Sequence, residues 1–158
     1  MLNDDMKSFI TYSLTEDLGS GDVTSESSVP QDLEEKGYIL AKESGVIAGV
    51  EVAREVFSQI DSNLTFKSLV KDGTWVKYGD VVVEVQGSAR SILSGERLAL
   101  NFMQRMSGIA TRTAEIVKIL EGTNTKVLDT RKTTPGLRGF EKWAVCIGGG
   151  VNHRMGLY

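Results

Sequence analysis

The 158-residue sequence contains one cysteine and one histidine, and each scarcity removes a class of chemistry. The lone Cys146 excludes an internal disulfide, which fits a reducing compartment or a protein that needs no staple. It sits in an apolar stretch with no base nearby in sequence, so it reads as a small hydrophobe rather than a nucleophile. The lone His153 excludes a zinc site built from several imidazoles, and no Cys/His spacing supports a structural metal. No apolar run approaches the roughly 18 residues of a membrane span. The N-terminus, MLNDDMKSF, lacks the basic segment and apolar core of a signal peptide. Internal repeats, low-complexity tracts and long charge blocks are absent as well. These absences describe a soluble, cytoplasmic protein with no membrane partner, long enough to bury one core or one and a half.

What is present is an uneven distribution of charge. Lys and Arg number 18 against 21 Asp and Glu, a formal net charge of −3. Residues 126–158 hold six of the cations (Lys126, Arg131, Lys132, Arg138, Lys142, Arg154) and two of the acids (Asp129, Glu141). That is a net +4, which leaves −7 for residues 1–125. An acidic chain that gathers its positive charge at glycine-rich turns is arranged to hold a small anion. A nucleic-acid binder spreads basic charge over a face or along the whole chain, so nucleic acid is not expected as a partner.

The spacing predicts a helix over 3–18, capped by Asn3, with Met6, Phe9, Ile10, Leu14 and Leu18 on one face and Gly19 ending it. Gly19 to Thr24 reads as a structural turn in which Asp22 and Thr24 satisfy backbone donors. The competing reading, a phosphate loop, is weakened by the lack of a following Lys and a preceding strand. Strands are expected over 36–43 and 64–69, and a helix over 49–60. Residues 70–90 alternate Asp72-Gly73 and Tyr78-Gly79-Asp80 turns with valine-rich runs, which is hairpin chemistry. That pattern is similar to lipoyl and biotinyl carrier domains, but neither Lys71 nor Lys77 sits in a carrier's attachment context. A helix capped by Ser94 runs to Met106, is interrupted by Ser107-Gly108, and resumes over 109–120. Its apolar residues cover more than one face, so it is buried or packs on a partner. Arg97 in its first turn is either a snorkelling side chain or a functional one. The one domain boundary is drawn at residue 108.

The apolar pair Val127-Leu128 then runs into Asp129-Thr130-Arg131-Lys132 and a turn at Thr134-Pro135-Gly136. An amphipathic stretch follows, then Gly148-Gly149-Gly150 ahead of Asn152-His153-Arg154. A strand that delivers polar residues into a loop at its C-terminal end is how βα barrels build their sites. Arg offers a planar fork for carboxylate or phosphate and Lys a mobile point charge, so an adjacent pair can grip two anionic groups. Alone, the pair could equally be solvated. Three glycines that let backbone approach a ligand, followed by a second cationic triplet, favour the site. His153 takes a ligand reading from its neighbours Asn152 and Arg154, against that of a satisfied core histidine.

The run Asp129 to Arg138, together with Gly148 to Leu157, resembles the quinolinate phosphoribosyltransferases, also called nicotinate-nucleotide pyrophosphorylases (carboxylating). Glu16 to Thr24, Ala48-Gly49, Glu96-Arg97 to Asn101 and Ser107 to Thr111 extend the resemblance over the whole chain. A paralogous branch found in molybdenum gene clusters, the ModD-like proteins, shares the TRKT-PG pattern. The form Val151-Asn152-His153-Arg154 favours the quinolinate enzymes. The resemblance implies an α+β fold: an N-terminal α/β sandwich domain over 1–108, followed over 109–158 by the beginning of an incomplete α/β barrel. It implies a Mg²⁺-dependent reaction of quinolinate with phosphoribosyl pyrophosphate. The products would be nicotinate mononucleotide, pyrophosphate and CO₂, a step of de novo NAD biosynthesis. The assembly would be a homodimer or larger, with sites shared between subunits. By position, Arg131, His153 and Arg154 would bind the dicarboxylate, and Lys132 would be catalytic between quinolinate and the phosphoribosyl donor. Thr130 would hydrogen-bond substrate, and Arg97 would reach into the neighbouring subunit's site.

The resemblance assigns no metal ligand to this chain. Chains of the family continue past the position of Tyr158, and the acids for Mg²⁺, a further lysine and the later phosphate loops belong to that continuation. The chain is therefore expected to be a truncated form, inactive alone, or a dimerising anion-binding fragment. Two barrel strands leave an open edge and too few neighbours to bury Val127, Leu128, Trp143 and Val145. Order in the tail would then depend on a partner, a swapped element or a bound anion.

Overall fold

In the computed structural model, which describes residues 2–19 and 21–155, Asn3 caps the first helix as expected. Its side chain accepts a hydrogen bond from the Met6 amide at 2.9 Å, and α1 runs Asp4–Leu18. Met6, Ile10 and Leu14 are buried along one face, and Gly19 ends the helix at φ 54°. The Asp22 carboxylate accepts the Ser25 amide at 3.2 Å and so caps α2 (Val23–Ser28). The glycine-rich turn is thus a helix-to-helix connection whose acid is committed to its own backbone.

Five strands follow: β1 (Glu34–Leu40), β2 (Gly45–Val46), β3 (Thr65–Ser68), β4 (Trp75–Val76) and β5 (Val81–Ser88), with α3 (Val50–Ile60) between β2 and β3. β1, β5 and β3, in that order, form an antiparallel sheet, while β2 pairs with β4 in a separate ribbon. The hairpin expected over 70–90 is therefore not formed. Both turns exist, with Gly73 at φ 86° and Gly79 at 90°, but the strands they join belong to different sheets. The cause lies at the first turn. The Gly73 amide donates to the Ile47 carbonyl at 2.8 Å, and Asp72 accepts the Val50 amide at 3.0 Å, which ties the turn to β2 and the start of α3.

The helix expected in two pieces is one continuous element, α4 (Ala89–Ile119), capped by Ser88 rather than Ser94. Ser107 does not interrupt it. Its hydroxyl accepts the Ala48 amide at 2.9 Å and donates to the Ala48 carbonyl at 3.1 Å, and one turn on Thr111 accepts the Val46 amide at 2.8 Å. These bonds satisfy backbone of the β2 segment and outweigh the cost of about 1 kcal/mol for an interior glycine at 108. The boundary expected at 108 thus falls inside a helix that packs on α3, β2 and β5 alike.

The last helix, α5 (Arg138–Ile147), docks on α4. The Phe140 ring centroid lies 4.8 Å from that of Phe102 and 5.9 Å from that of Phe9, so an aromatic cluster joins α5 to α4 and α1. The tail has more neighbours than expected, since Phe140 and Ala144 are buried. The four residues expected to lack cover do so in part: Leu128 is 57% exposed, and Val127 of the expected strand and Trp143 and Val145 of α5 are only partly covered. The fold is α+β, and among the described residues no barrel closes; its beginning is one parallel bridge, Leu128 to Val151, together with α5. Cys146 is exposed, on the side of α5 away from the buried Phe140 and Ala144.

Two glycines of the triplet, Gly148 and Gly150, are needed for the chain's own packing. A methyl group on Gly148 would meet Thr113 Cβ at 2.7 Å and the Ala110 carbonyl closer still, and one on Gly150 would meet Val145 Cγ1 at 2.6 Å. Gly148→Ala is expected to lower stability by about 1–3 kcal/mol, because the clash is with helix backbone that cannot move aside. Urea unfolding measures this, and an unchanged midpoint would show that α5 docks differently.

Candidate active site

The tail cations sit where two chain segments run side by side. Val151 N–H donates to the Val127 carbonyl at 2.8 Å and Asp129 N–H to the Val151 carbonyl at 3.1 Å. This register brings Asp129-Thr130-Arg131-Lys132 and Asn152-His153-Arg154 out at adjoining ends. The Asp129 side chain turns inward, 3% exposed, and accepts Lys142 Nζ at 2.5 Å and the His153 amide at 2.7 Å. The Asn152 side-chain amide, oriented to suit its neighbours, donates to the same carboxylate at 2.6 Å and to the Lys142 carbonyl at 2.9 Å. Lys142 is 1% exposed, and its ammonium also donates to the His153 carbonyl at 3.3 Å.

A second set of bonds holds the following loop over α4. Arg105 donates from Nε to Glu141 at 2.9 Å and from Nη2 to the same carboxylate and to Thr134 Oγ1, while the Thr134 amide donates to Glu141 at 3.2 Å. Arg138 donates to Thr133 Oγ1 at 3.2 Å and to the carbonyls of Arg131 and Met155, both at 3.4 Å. Burial alone would push the Glu141 carboxyl up, but hydrogen bonds from Arg105 and Thr134, with the charge of Arg105, hold it below the usual carboxylate range. A carboxyl lowered on folding stabilises the folded state above its unfolded pKa and loses that contribution as pH falls through its folded value. Amide protection over residues 130–137 is therefore expected to weaken as the pH drops into the acid range, and Glu141→Gln should flatten that dependence. Hydrogen exchange corrected for intrinsic rates reads the effect.

Both tail acids are thereby committed to structural partners. Among the described residues Arg131, Lys132, His153 and Arg154 form no ion pair, and Arg131 Nε is buried with no acceptor. Thr130 Oγ1 accepts the Lys132 amide at 3.1 Å, a tight turn that leaves the hydroxyl proton for another acceptor. The structure thus brings Thr130, Arg131, Lys132, His153 and Arg154 to adjoining loop ends. Arg97 is not among them. Its guanidinium, 73% exposed, bonds Asp17 of α1 at 3.1 Å and lines a separate groove with Asp22 and Asn101.

Sequence reasoning missed Asp129, Lys142, Asn152 and the Arg105–Glu141 pair as the supports of this site. One signal was available: Arg105 is a further cation on α4, exposed beside the buried Phe102 and Met106 and eight residues after Arg97. Nothing local joins Asp129 to Lys142. As for Mg²⁺, no three His, Cys, Asp or Glu side chains gather among the described residues, and Asp129 is saturated by Lys142, Asn152 and the His153 amide. The residues present do not form a magnesium site.

Fold and site together define an α+β protein with cationic loop ends of a kind suited to an anionic ligand. Comparison with known proteins sharpens this class. The family described as quinolinate phosphoribosyl transferase matches through its N-terminal domain over residues 22–107 and its C-terminal domain over 109–158. Similar curated proteins include quinolinate phosphoribosyltransferase [decarboxylating] 1b of Nicotiana tabacum, 47% identical over 98% of this chain and 44% of the relative. Another is a probable nicotinate-nucleotide pyrophosphorylase [carboxylating] of Bacillus subtilis (strain 168), 46% identical over 97% of this chain and 53% of the relative. The crystal structure of NadC from Streptococcus pyogenes superposes with a TM-score of 0.95 at 43% identity, covering 99% of this chain and 56% of that one. The chain belongs to the quinolinate phosphoribosyltransferase family. It spans about half the length of the curated relatives it matches.

Proposed function

We propose that the intact protein containing this chain transfers the phosphoribosyl group of phosphoribosyl pyrophosphate to quinolinate, releasing pyrophosphate and CO₂ and forming nicotinate mononucleotide for NAD biosynthesis. The observation that carries this reading is the commitment of Asp129 and Glu141 to Lys142 and Arg105, which leaves Arg131, Lys132, His153 and Arg154 without acidic partners at one mouth. A dianionic pyridine and a diphosphate cannot share a pocket unless several fixed cations face them. In this reading Arg131, His153 and Arg154 bind the two carboxylates, and Thr130 donates a hydrogen bond to the substrate. Lys132, the catalytic residue, stands between quinolinate and the donor.

Ribosyl C1 passes from a pyrophosphate oxygen, which keeps the electron pair, to the pyridine nitrogen. The ring becomes cationic. It then accepts the electron pair of the C2–carboxylate bond as CO₂ leaves, and a proton takes the vacated position. Positioning and charge stabilisation supply most of the acceleration in such a transfer. We place Mg²⁺ with the diphosphate and with residues outside this chain, since no acid cluster here is suited to it. We further propose a homodimer or larger assembly in the cytoplasm in which Arg97 serves the partner subunit's site. No described helix is long and apolar enough to cross a membrane.

Incubating the intact protein with quinolinate, phosphoribosyl pyrophosphate and Mg²⁺ should yield nicotinate mononucleotide, detected by chromatography. Turnover of a different acceptor in place of quinolinate would transfer the reading to the ModD-like branch. Anion binding without turnover of any acceptor would leave a non-catalytic binding module.

A further inference from the structure

We propose that the buried Asp129–Lys142 pair, closed by Asn152, is a spacing device. It sets the distance between the two cationic loops and makes the site select a ligand with two neighbouring carboxylates over one with a single carboxylate. The choice of ligand rests on the functional reading above; the spacing role rests on geometry. Asp129 immediately precedes Thr130-Arg131-Lys132, and His153 immediately precedes Arg154. The Asp129 carboxylate accepts the His153 amide at 2.7 Å, and the Lys142 ammonium bonds both that carboxylate and the His153 carbonyl. One ammonium on α5 is thus joined to both loop ends, and Asn152 adds a third tie between the same groups.

Stability alone does not call for these residues. A buried ion pair replaced by apolar side chains of similar volume commonly leaves a fold as stable or more so. Apolar groups, however, supply no directional bonds, and here the bonds run to the two segments whose separation matters. Apart from them, among the described residues the segments are joined by the single bridge with its two backbone hydrogen bonds, and by Arg138, which donates to the carbonyls of Arg131 and Met155 at the longer distance of 3.4 Å. A diacid on a rigid ring needs two cationic points at one fixed separation. A monoacid uses one point and is indifferent to the spacing, so loosening the pair should cost the diacid more.

The test is the double variant Asp129→Leu with Lys142→Met in the intact protein, which leaves no buried charge unpaired. Three quantities are measured: the ratio of affinities for pyridine-2,3-dicarboxylate and pyridine-3-carboxylate by calorimetry, the melting temperature, and hydrogen exchange. We expect a melting temperature near that of the parent, a ratio lowered by about tenfold or more, and faster exchange confined to residues 128–132 and 151–154. A folded double variant that keeps both the ratio and the exchange pattern overturns the proposal. Should the double variant fail to fold, Asn152→Ala removes one tie at an exposed position while the charges stay paired. It should lower the ratio severalfold, and an unchanged ratio again overturns the proposal. If the parent protein binds neither acid, the functional reading fails and exchange alone decides the spacing role. Loosening limited to the two segments upholds it, and an unaltered pattern refutes it.

Discussion

Replacing Lys132 by alanine in the intact protein is expected to lower turnover of quinolinate by about two to three orders of magnitude while leaving the melting temperature unchanged. Lys132 is exposed at the loop end, and among the described residues its side chain has no ion-pair or hydrogen-bond partner. Its removal therefore leaves no cavity and no unpaired charge. What is lost is a mobile ammonium that can follow negative charge as it collects on the departing pyrophosphate, an interaction stronger in the transition state than before it. The loss should fall on kcat more than on KM. Truncating Lys142 to methionine should give the opposite order of effects. Asp129 would remain buried and uncompensated, at a cost of about 3–5 kcal/mol, so unfolding would come first and activity would follow it down. The two lysines lie ten positions apart and carry the same charge. Burial alone, with Lys142 1% exposed and Lys132 on the surface, separates a chemical role from an architectural one. If Lys132→Ala keeps normal kcat, the catalytic assignment is wrong, whatever happens at Lys142.

The parts of the fold that were legible in the sequence are those decided within a few residues. Asn3 and Gly19 bracket α1 because capping and left-handed termination are local events, and the apolar face from Met6 to Leu14 follows helical spacing. Strand pairing was not legible. β4 joins β2 because Gly73 and Asp72 bond to Ile47 and Val50, contacts that no turn motif announces. The continuity of α4 was hidden for the same reason. Ser107-Gly108 has the composition of a break, and what overrides it is a pair of hydroxyls bonded to backbone about sixty residues earlier. In the site, Arg131, Lys132, His153 and Arg154 could be picked out by type and by resemblance. Their supports could not, since Asp129 meets Lys142 across 13 residues and Arg105 meets Glu141 across 36. The packing role of Gly148 and Gly150 was not legible, because close approach to a ligand and close approach to a neighbouring helix require the same small residue.

Mixing Arg97→Ala subunits with Arg131→Ala subunits is expected to restore activity that neither variant shows alone. Among the described residues Arg97 has no hydrogen bond or ion pair to the loops that carry Arg131 and His153; its partner is Asp17, across a surface ion pair of the kind worth about 0–1 kcal/mol. Such a pair releases easily to an anion. The cation of α4 that does reach the loop is Arg105, eight residues on, or about 12 Å along the helix axis. Arg97 would therefore contribute to catalysis only if a site came to it, which a second subunit would accomplish. In a two-fold dimer each site would combine Arg131 of one chain with Arg97 of the other. A hybrid dimer then contains one site with both arginines and one with neither. Equal mixing with free exchange makes half the dimers hybrids, so recovery should approach about a quarter of parental turnover. If Arg97 acted within its own chain, every site in the hybrid would lack one arginine and nothing would be recovered. Native mass spectrometry establishes that hybrids have formed, and the absence of any recovered turnover in that population would rule out sharing between subunits.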